Sequence, residues 1–180
     1  MSRYRGPKNR IINKLGDLPG LKSLNKVTKK KRNNKKITEY CTRLNEKQKL
    51  RFNYGVSEKQ LYNYVKKRTI LTTFITALEM RLDSIVYNFG FAKSILSARQ
   101  LVNHGKIRVN LIKINIPSFQ CKKGDIIALN FIKQQQNITP NTYLQNFIKI
   151  TKFVGKIKEN INKTPFSINE QLIIAFYAKK

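Results

Sequence analysis

The chain has 180 residues, with 37 lysines and arginines against 9 acids and a formal net charge of +28. A compact fold with that excess repels itself, so the charge calls for an anionic partner such as a nucleic acid or an acidic membrane surface. The length admits one large domain or two small ones. No apolar run approaches the ~18 residues of a bilayer span, and Cys41 and Cys121, with a single histidine, lack the spacing of a zinc site.

Residues 1–36 hold 13 basic residues and one acid, Asp17. Gly6, Pro7, Gly16, Pro19 and Gly20 interrupt any periodicity, and Lys29-Lys30-Lys31-Arg32 forms a charge block. This composition predicts an extended basic arm that orders only on RNA. From Ile37 to Phe52 the spacing of Ile37, Tyr40, Cys41 and Leu44 predicts an amphipathic helix. Lys47, Lys49 and Arg51 crowd its C-terminal end, where cations suit the helix dipole. Gly55 breaks the chain, and Ser57-Glu58-Lys59-Gln60 is a capping box opening a helix to about Arg68, with Leu61, Tyr64 and Val65 as its apolar stripe.

Ile75, Leu78, Leu82, Ile85, Val86 and Phe89 recur at helical spacing before Gly90. Ser97-Ala98-Arg99-Gln100 reads as another capping box, and Gly105 ends that helix. At 100° per residue, Ala98, Leu101 and Val102 share one sector, and Arg99, Gln100, Asn103 and His104 the opposite one. Lys106 and Arg108 extend the outer face onto a strand at Ile107–Val109. A second alternating run holds Ile112, Ile114 and Ile116, with Lys113 and Asn115 facing the other way. Lys122-Lys123-Gly124-Asp125 is a turn before a third run, Ile126–Leu129. The result is a helix–helix–strand unit with a cationic, donor-rich face free of carboxylates. RNA suits it: phosphates take the cations, and bases or 2′-hydroxyls take the amides. After Leu129 the periodicity weakens around Gln134-Gln135-Gln136-Asn137 and Pro140.

Catalysis finds little support. The carboxylates are scattered, with no pair suited to acid–base partnership. Asp83, beside Arg81, reads as a structural ion pair or cap, and His104 has no triad partner nearby. Phosphate-loop and nucleophile-elbow motifs are absent. Lysine (27) far outnumbers arginine (10), and isoleucine and asparagine are abundant. These are residues of A- and T-rich codons, which points to an organellar genome. Two lone cysteines suggest a reducing compartment.

Several stretches resemble one family. Arg81-Leu82-Asp83, Ser97 to His104, Ile107-Arg108-Val109-Asn110 and Ile116-Pro117-Ser118-Phe119 are similar to the RNA-binding domain of ribosomal small-subunit protein four. Ser2-Arg3-Tyr4-Arg5-Gly6-Pro7 resembles that family's mature start, and Leu18-Pro19-Gly20-Leu21 its plastid branch. An intact start favours synthesis inside the organelle. Glu46-Lys47-Gln48-Lys49 with Tyr54-Gly55 resembles its helical RNA-contacting region. Ile168 to Tyr177 resembles its C-terminal segment, which in the family packs back on the early helices. Two departures stand out. Leu111 follows Asn110 where the family usually has Asn-Gly; leucine disfavours positive φ, so a longer turn or another type is expected. Thr69 to Thr73 is shorter than the family's loop and lacks glycine.

The resemblance implies an α+β chain: an arm (1–36), a helical domain (37–80, completed by 145–180) and an inserted RNA-binding domain (81–144). It implies a structural constituent of the small ribosomal subunit, without enzymatic activity, cofactor, metal, membrane or small-molecule substrate. Its partners would be small-subunit ribosomal RNA and neighbouring ribosomal proteins, in the plastid or alternatively the mitochondrion. The RNA-contacting residues it implies are Arg3, Tyr4, Arg5, Lys8, Lys47, Lys49, Arg51, Tyr54, Arg81, Ser97, Arg99, Gln100, Asn103, His104, Lys106 and Arg108. The competing readings are an RNA-modifying or RNA-chaperone protein with the same domain, and a polycation bound to membrane or DNA. The first needs a catalytic domain for which the chain has no room. The second explains the charge but not the donor-lined helix.

Overall fold

The computed structural model describes residues 6–21, 38–67, 73–130, 148–150, 154–159, 161 and 164–178. The charge block at 29–32, the shortened loop after Arg68 and the polar stretch 134–140 lie outside them. The chain forms two units, Met1–Arg68 with Thr164–Lys180, and Thr69–Lys163.

The first unit is helical. Helix α1 spans Lys8–Leu15, followed by a 3-10 turn at Pro19–Leu21. An extended arm was the expectation; instead Ile11, Ile12, Leu15, Leu18 and Leu21 are buried. Their spacing is an apolar stripe hidden among glycine, proline and charge. The Gly20 amide donates to Oδ1 of buried Asn53 at 2.8 Å, tying the turn to the next helix. Helix α2, Glu39–Asn53, is capped by Thr38. Its expected apolar face is not the inward one. Tyr40 is exposed, and the buried positions are Lys47, Leu50 and Asn53. Helix α3, Glu58–Lys66, starts at the Ser57–Gln60 capping box, with both reciprocal bonds formed. Leu61 and Val65 are buried there. Helix α7, Glu170–Ala178, packs on α2 and α3 through Ile173 and Tyr177.

The second unit places helices α4 (Phe74–Glu79), α5 (Leu82–Asn88) and α6 (Ile95–Asn103) with an antiparallel sheet. The continuous helix expected over 73–89 is broken at Met80 and Arg81. Arg81 is extended (φ −70°, ψ 143°) and bridges to Gln120. The Leu82 amide donates to the Phe119 carbonyl and the Cys121 amide to that of Met80, both at 2.9 Å. Tertiary pairing therefore overrides the helical periodicity. Helix α6 starts earlier than expected. Ser94 caps it by accepting from the Ser97 amide at 3.2 Å, so Ser97 lies inside the first turn.

The sheet order is β2-β1-β3-β5-β4, with β1 Ile107–Val109, β2 Ile112–Lys113, β3 Ile126–Leu129, β4 Ile148–Ile150 and β5 Val154–Ile157. The expected run through Ile116 is a strand only at 112–113, and Ile116 is exposed. Residues 148–150 and 154–157, within the stretch expected to complete the helical domain, instead form two strands of this sheet. Val109 pairs with Ile127, and Ile127 with Gly155. These residues face inward onto Ile85, Val86, Phe89, Ala98 and Val102, which are fully buried. The β1–β2 turn has two residues, Asn110 (φ 48°) and Leu111 (φ 72°), the positive-φ pair a type I′ hairpin needs. Leucine adopts it here, contrary to expectation.

Candidate nucleic-acid interface

Helix α6 presents Gln100, Asn103 and His104 to solvent, and Gly105 (φ 65°) turns the chain into β1. Lys106, just before that strand, and Arg108 on it are also exposed. The structure adds Lys113 to this set. It pairs with Arg108, and its side chain lies across Gly105, where a Cβ would stand 2.1 Å from Lys113 Cε. The positive φ of Gly105 favours glycine, and a side chain there would displace the end of Lys113. The sequence signal for it is the alternation of the second run, which turns Lys113 away from the core. From Gln100 through Arg108 to Lys113 there is no carboxylate. Amide, imidazole and ammonium donors stand on a helix and hairpin backed by a closed apolar core.

An interior ion cluster fixes the phase of α6. Asp83, with no exposed surface, accepts from Arg81 Nε at 3.0 Å and Nη2 at 2.8 Å. It also accepts from Arg99 Nε at 3.0 Å and Nη2 at 2.6 Å. The pairing of Asp83 with Arg81 is structural, as expected. Arg81 and Arg99 are corrections to the expected RNA face: they are 2% and 6% exposed. The buried stripe of α6 is Ile95, Ala98, Arg99 and Val102, at intervals of three and four. A helix starting at Ser97 leaves Ile95 out of the stripe and places Arg99 outward; the observed start at Ile95 turns Arg99 in. Leu101, expected in the core beside Val102, is only half-buried.

The candidates on α2 divide similarly. Lys47 is 6% exposed; its ammonium pairs with Glu58 Oε1 at 2.9 Å and lies 4.1 Å from the Phe176 ring centroid. Tyr54, 1% exposed, has its ring 6.4 Å from that of Phe166. Both are packing residues here, because the C-terminal segment, over a hundred positions away, covers them: Phe166 meets Tyr54, and Phe176 of α7 meets Lys47. Lys49 pairs with Glu46, and Arg51 is half-buried beside the Phe52 ring. Burial alone would raise the Glu58 carboxyl, but the Lys47 hydrogen bond and charge, with the Tyr177 hydroxyl, hold it below its ordinary value. Burial and the Glu58 carboxylate push the Tyr177 phenol up. Lys8 opens α1 half-buried, and Ser97 is half-buried on α6. Arg3, Tyr4 and Arg5 lie outside the described residues.

Burial pushes the Cys121 thiol up to about 12, with Asp125 and Asp83 adding to the shift. Such a thiol is a core hydrophobe rather than a nucleophile. Among the described residues, no three of His, Cys, Asp or Glu gather as metal ligands, and no helix is long and apolar enough to cross a membrane.

Comparison with known proteins agrees with this geometry. The family model described as the ribosomal protein S4/S9 N-terminal domain matches residues 3–81, and the S4 domain matches residues 80–127. The chain is 42% identical over 200 residues to small ribosomal subunit protein uS4c of Guillardia theta, covering the whole of both chains. It is 43% identical over 206 residues to uS4c of Rosulabryum capillare, and 41% over 201 residues to uS4 of Nostoc punctiforme, again across both full lengths. With an S4 domain built on the α5–α6–β1 frame and relatives matched from end to end, the chain belongs to the small ribosomal subunit protein uS4 family.

Proposed function

We propose that this chain is a structural constituent of the small subunit of the plastid ribosome and that it binds small-subunit ribosomal RNA directly. The observation that carries the proposal is the exposed, carboxylate-free face of Gln100, Asn103, His104, Lys106, Arg108 and Lys113, held on a rigid frame. Phosphates meet the ammonium and guanidinium groups, while amide and imidazole groups read hydroxyls or base edges. Lys49, Arg51 and Lys8 add cations from the helical unit. Arg81 and Arg99 act as positioning residues, holding α5 and α6 together so that Gln100 and its neighbours face outward. Neighbouring small-subunit proteins are its other partners. The plastid assignment rests on the uS4c and cyanobacterial relatives and on the lysine-, isoleucine- and asparagine-rich composition. No feature of the site favours RNA modification.

Sedimentation of organelle extract, followed by mass spectrometry of each fraction, tests the assignment. Peptides of this chain are expected in the small-subunit peak of plastid ribosomes. Their recovery only in soluble or membrane fractions, or with mitochondrial ribosomes, would contradict it.

A further inference from the structure

The sheet has a second face, turned away from the helices, that the α6 surface does not account for. In an antiparallel ladder, directly opposed residues share a face. Arg108 is therefore aligned with Lys113 on one side and Ala128 on the other, and Ala128 with Val154. The next outward row sets Ile126 opposite Lys156. Arg108, Lys113 and Lys156 are exposed, as are Ile126 at 44% and Val154 at 39%. The register sets Arg108 directly opposite Lys113, a pairing of like charges that destabilises an isolated sheet. No carboxylate belongs to any of the five strands.

From this arrangement we infer that the outer sheet face is a second RNA-contacting surface, which takes a backbone segment of the same ribosomal RNA. Phosphates lie between the opposed cations and relieve their repulsion. Ile126 and Val154 cover ribose or base surface between the two cationic rows. Arg108 and Lys113 belong to both surfaces, so the RNA follows the sheet edge from the α6 side to the outer side. The charge of the face selects an anionic polymer over an apolar protein surface. The inference rests on the proposed ribosomal RNA binding and extends it to the sheet face turned away from α6.

The test uses the full chain and transcribed chloroplast small-subunit ribosomal RNA, with filter binding at several salt concentrations and a thermal melt for each variant. Lys156→Gln is expected to weaken binding and lower the salt slope by about one unit. Ile126→Asn changes no charge, so a loss of affinity there, expected to be at least about fivefold for a lost stacking or ribose contact, reports contact rather than long-range field. Both variants should melt with the unmodified chain, since both positions face solvent. Gln100→Ala with Asn103→Ala, on the α6 surface, is the parallel arm. If that pair loses affinity while both sheet variants bind normally, the sheet inference is overturned and the α6 reading stands. If the sheet variants lose affinity and the α6 pair does not, the sheet face is upheld and the α6 reading fails. Absence of RNA binding by the unmodified chain overturns both. Normal RNA binding by the sheet variants with loss of an acidic ribosomal protein from reconstituted particles would assign the face to protein and overturn the inference.

Discussion

Asp83 joins two guanidinium groups inside the protein, and its worth is best judged by what its loss would leave behind. Asp83→Ala strands two buried cations and should cost about 3 to 5 kcal/mol of stability, measured by denaturant unfolding. Arg99→Ala should cost less, about 2 kcal/mol, because Arg81 still satisfies the carboxylate. A change within about 0.5 kcal/mol, the usual range for a surface site, would return Arg99 to the exterior. Leu111 shows the reverse situation, a local rule broken at the surface. It holds φ 72° while 86% exposed. The turn forms regardless because Asn110 is braced. Its side chain donates to Asp125 Oδ1 and accepts from the Ile126 amide, each at 2.9 Å. Leu111→Gly removes the left-handed penalty and little burial, so it should stabilise the chain by about 1 kcal/mol, seen as a raised melting temperature.

At the scale of elements, Gly155 sets how closely β5 approaches α5. A Cβ there would lie 2.2 Å from the ring of Phe89, which is fully buried and packs edge-on to Phe91. Gly155→Ala should therefore cost about 1 to 3 kcal/mol through overpacking, again read by denaturant unfolding; an unchanged midpoint would mean that the strand docks more loosely. Elements defined by their own residues were legible in the sequence: the Ser57–Gln60 capping box, the β1 and β3 runs, and the stop at Gly105. Elements decided by distant residues were not. The break at Met80–Arg81 depends on the backbone of Pro117 to Cys121, and the burial of Lys47 and Tyr54 on the C-terminal segment. At α6 two caps compete. Both Ser94 and Ser97 carry a capping hydroxyl, and choosing the later one removed Ile95 from the stripe and turned Arg99 outward. Gln100, Asn103 and His104 are exposed under either start, and Lys106 and Arg108, beyond the helix, do not depend on it.

For the whole molecule, the +28 charge and the paired interior ions call for different tests. The Lys47–Glu58–Tyr177 cluster binds α2, α3 and α7 into one unit. The folded Glu58 carboxyl titrates below its ordinary 4.5. Its contribution is thus present above about pH 4.5 and lost as pH falls through the lower folded value. Glu58→Gln should make stability less steeply dependent on pH below 4.5, tested by melts across the acid range; an unaltered acid limb would mean that the pair adds nothing. The central claim is that exposed rather than buried donors make the RNA interface. Its most direct test is the affinity of the full chain for chloroplast small-subunit ribosomal RNA, measured against salt for the unmodified protein and for Arg108→Ala. With about six phosphates contacted, the unmodified chain should lose on the order of a thousandfold in affinity between 50 and 200 mM salt. Arg108→Ala should lower the slope by about one unit while its unfolding free energy stays within about 0.5 kcal/mol. A flat salt response, or an Arg108→Ala variant with unchanged affinity and slope, would contradict the account.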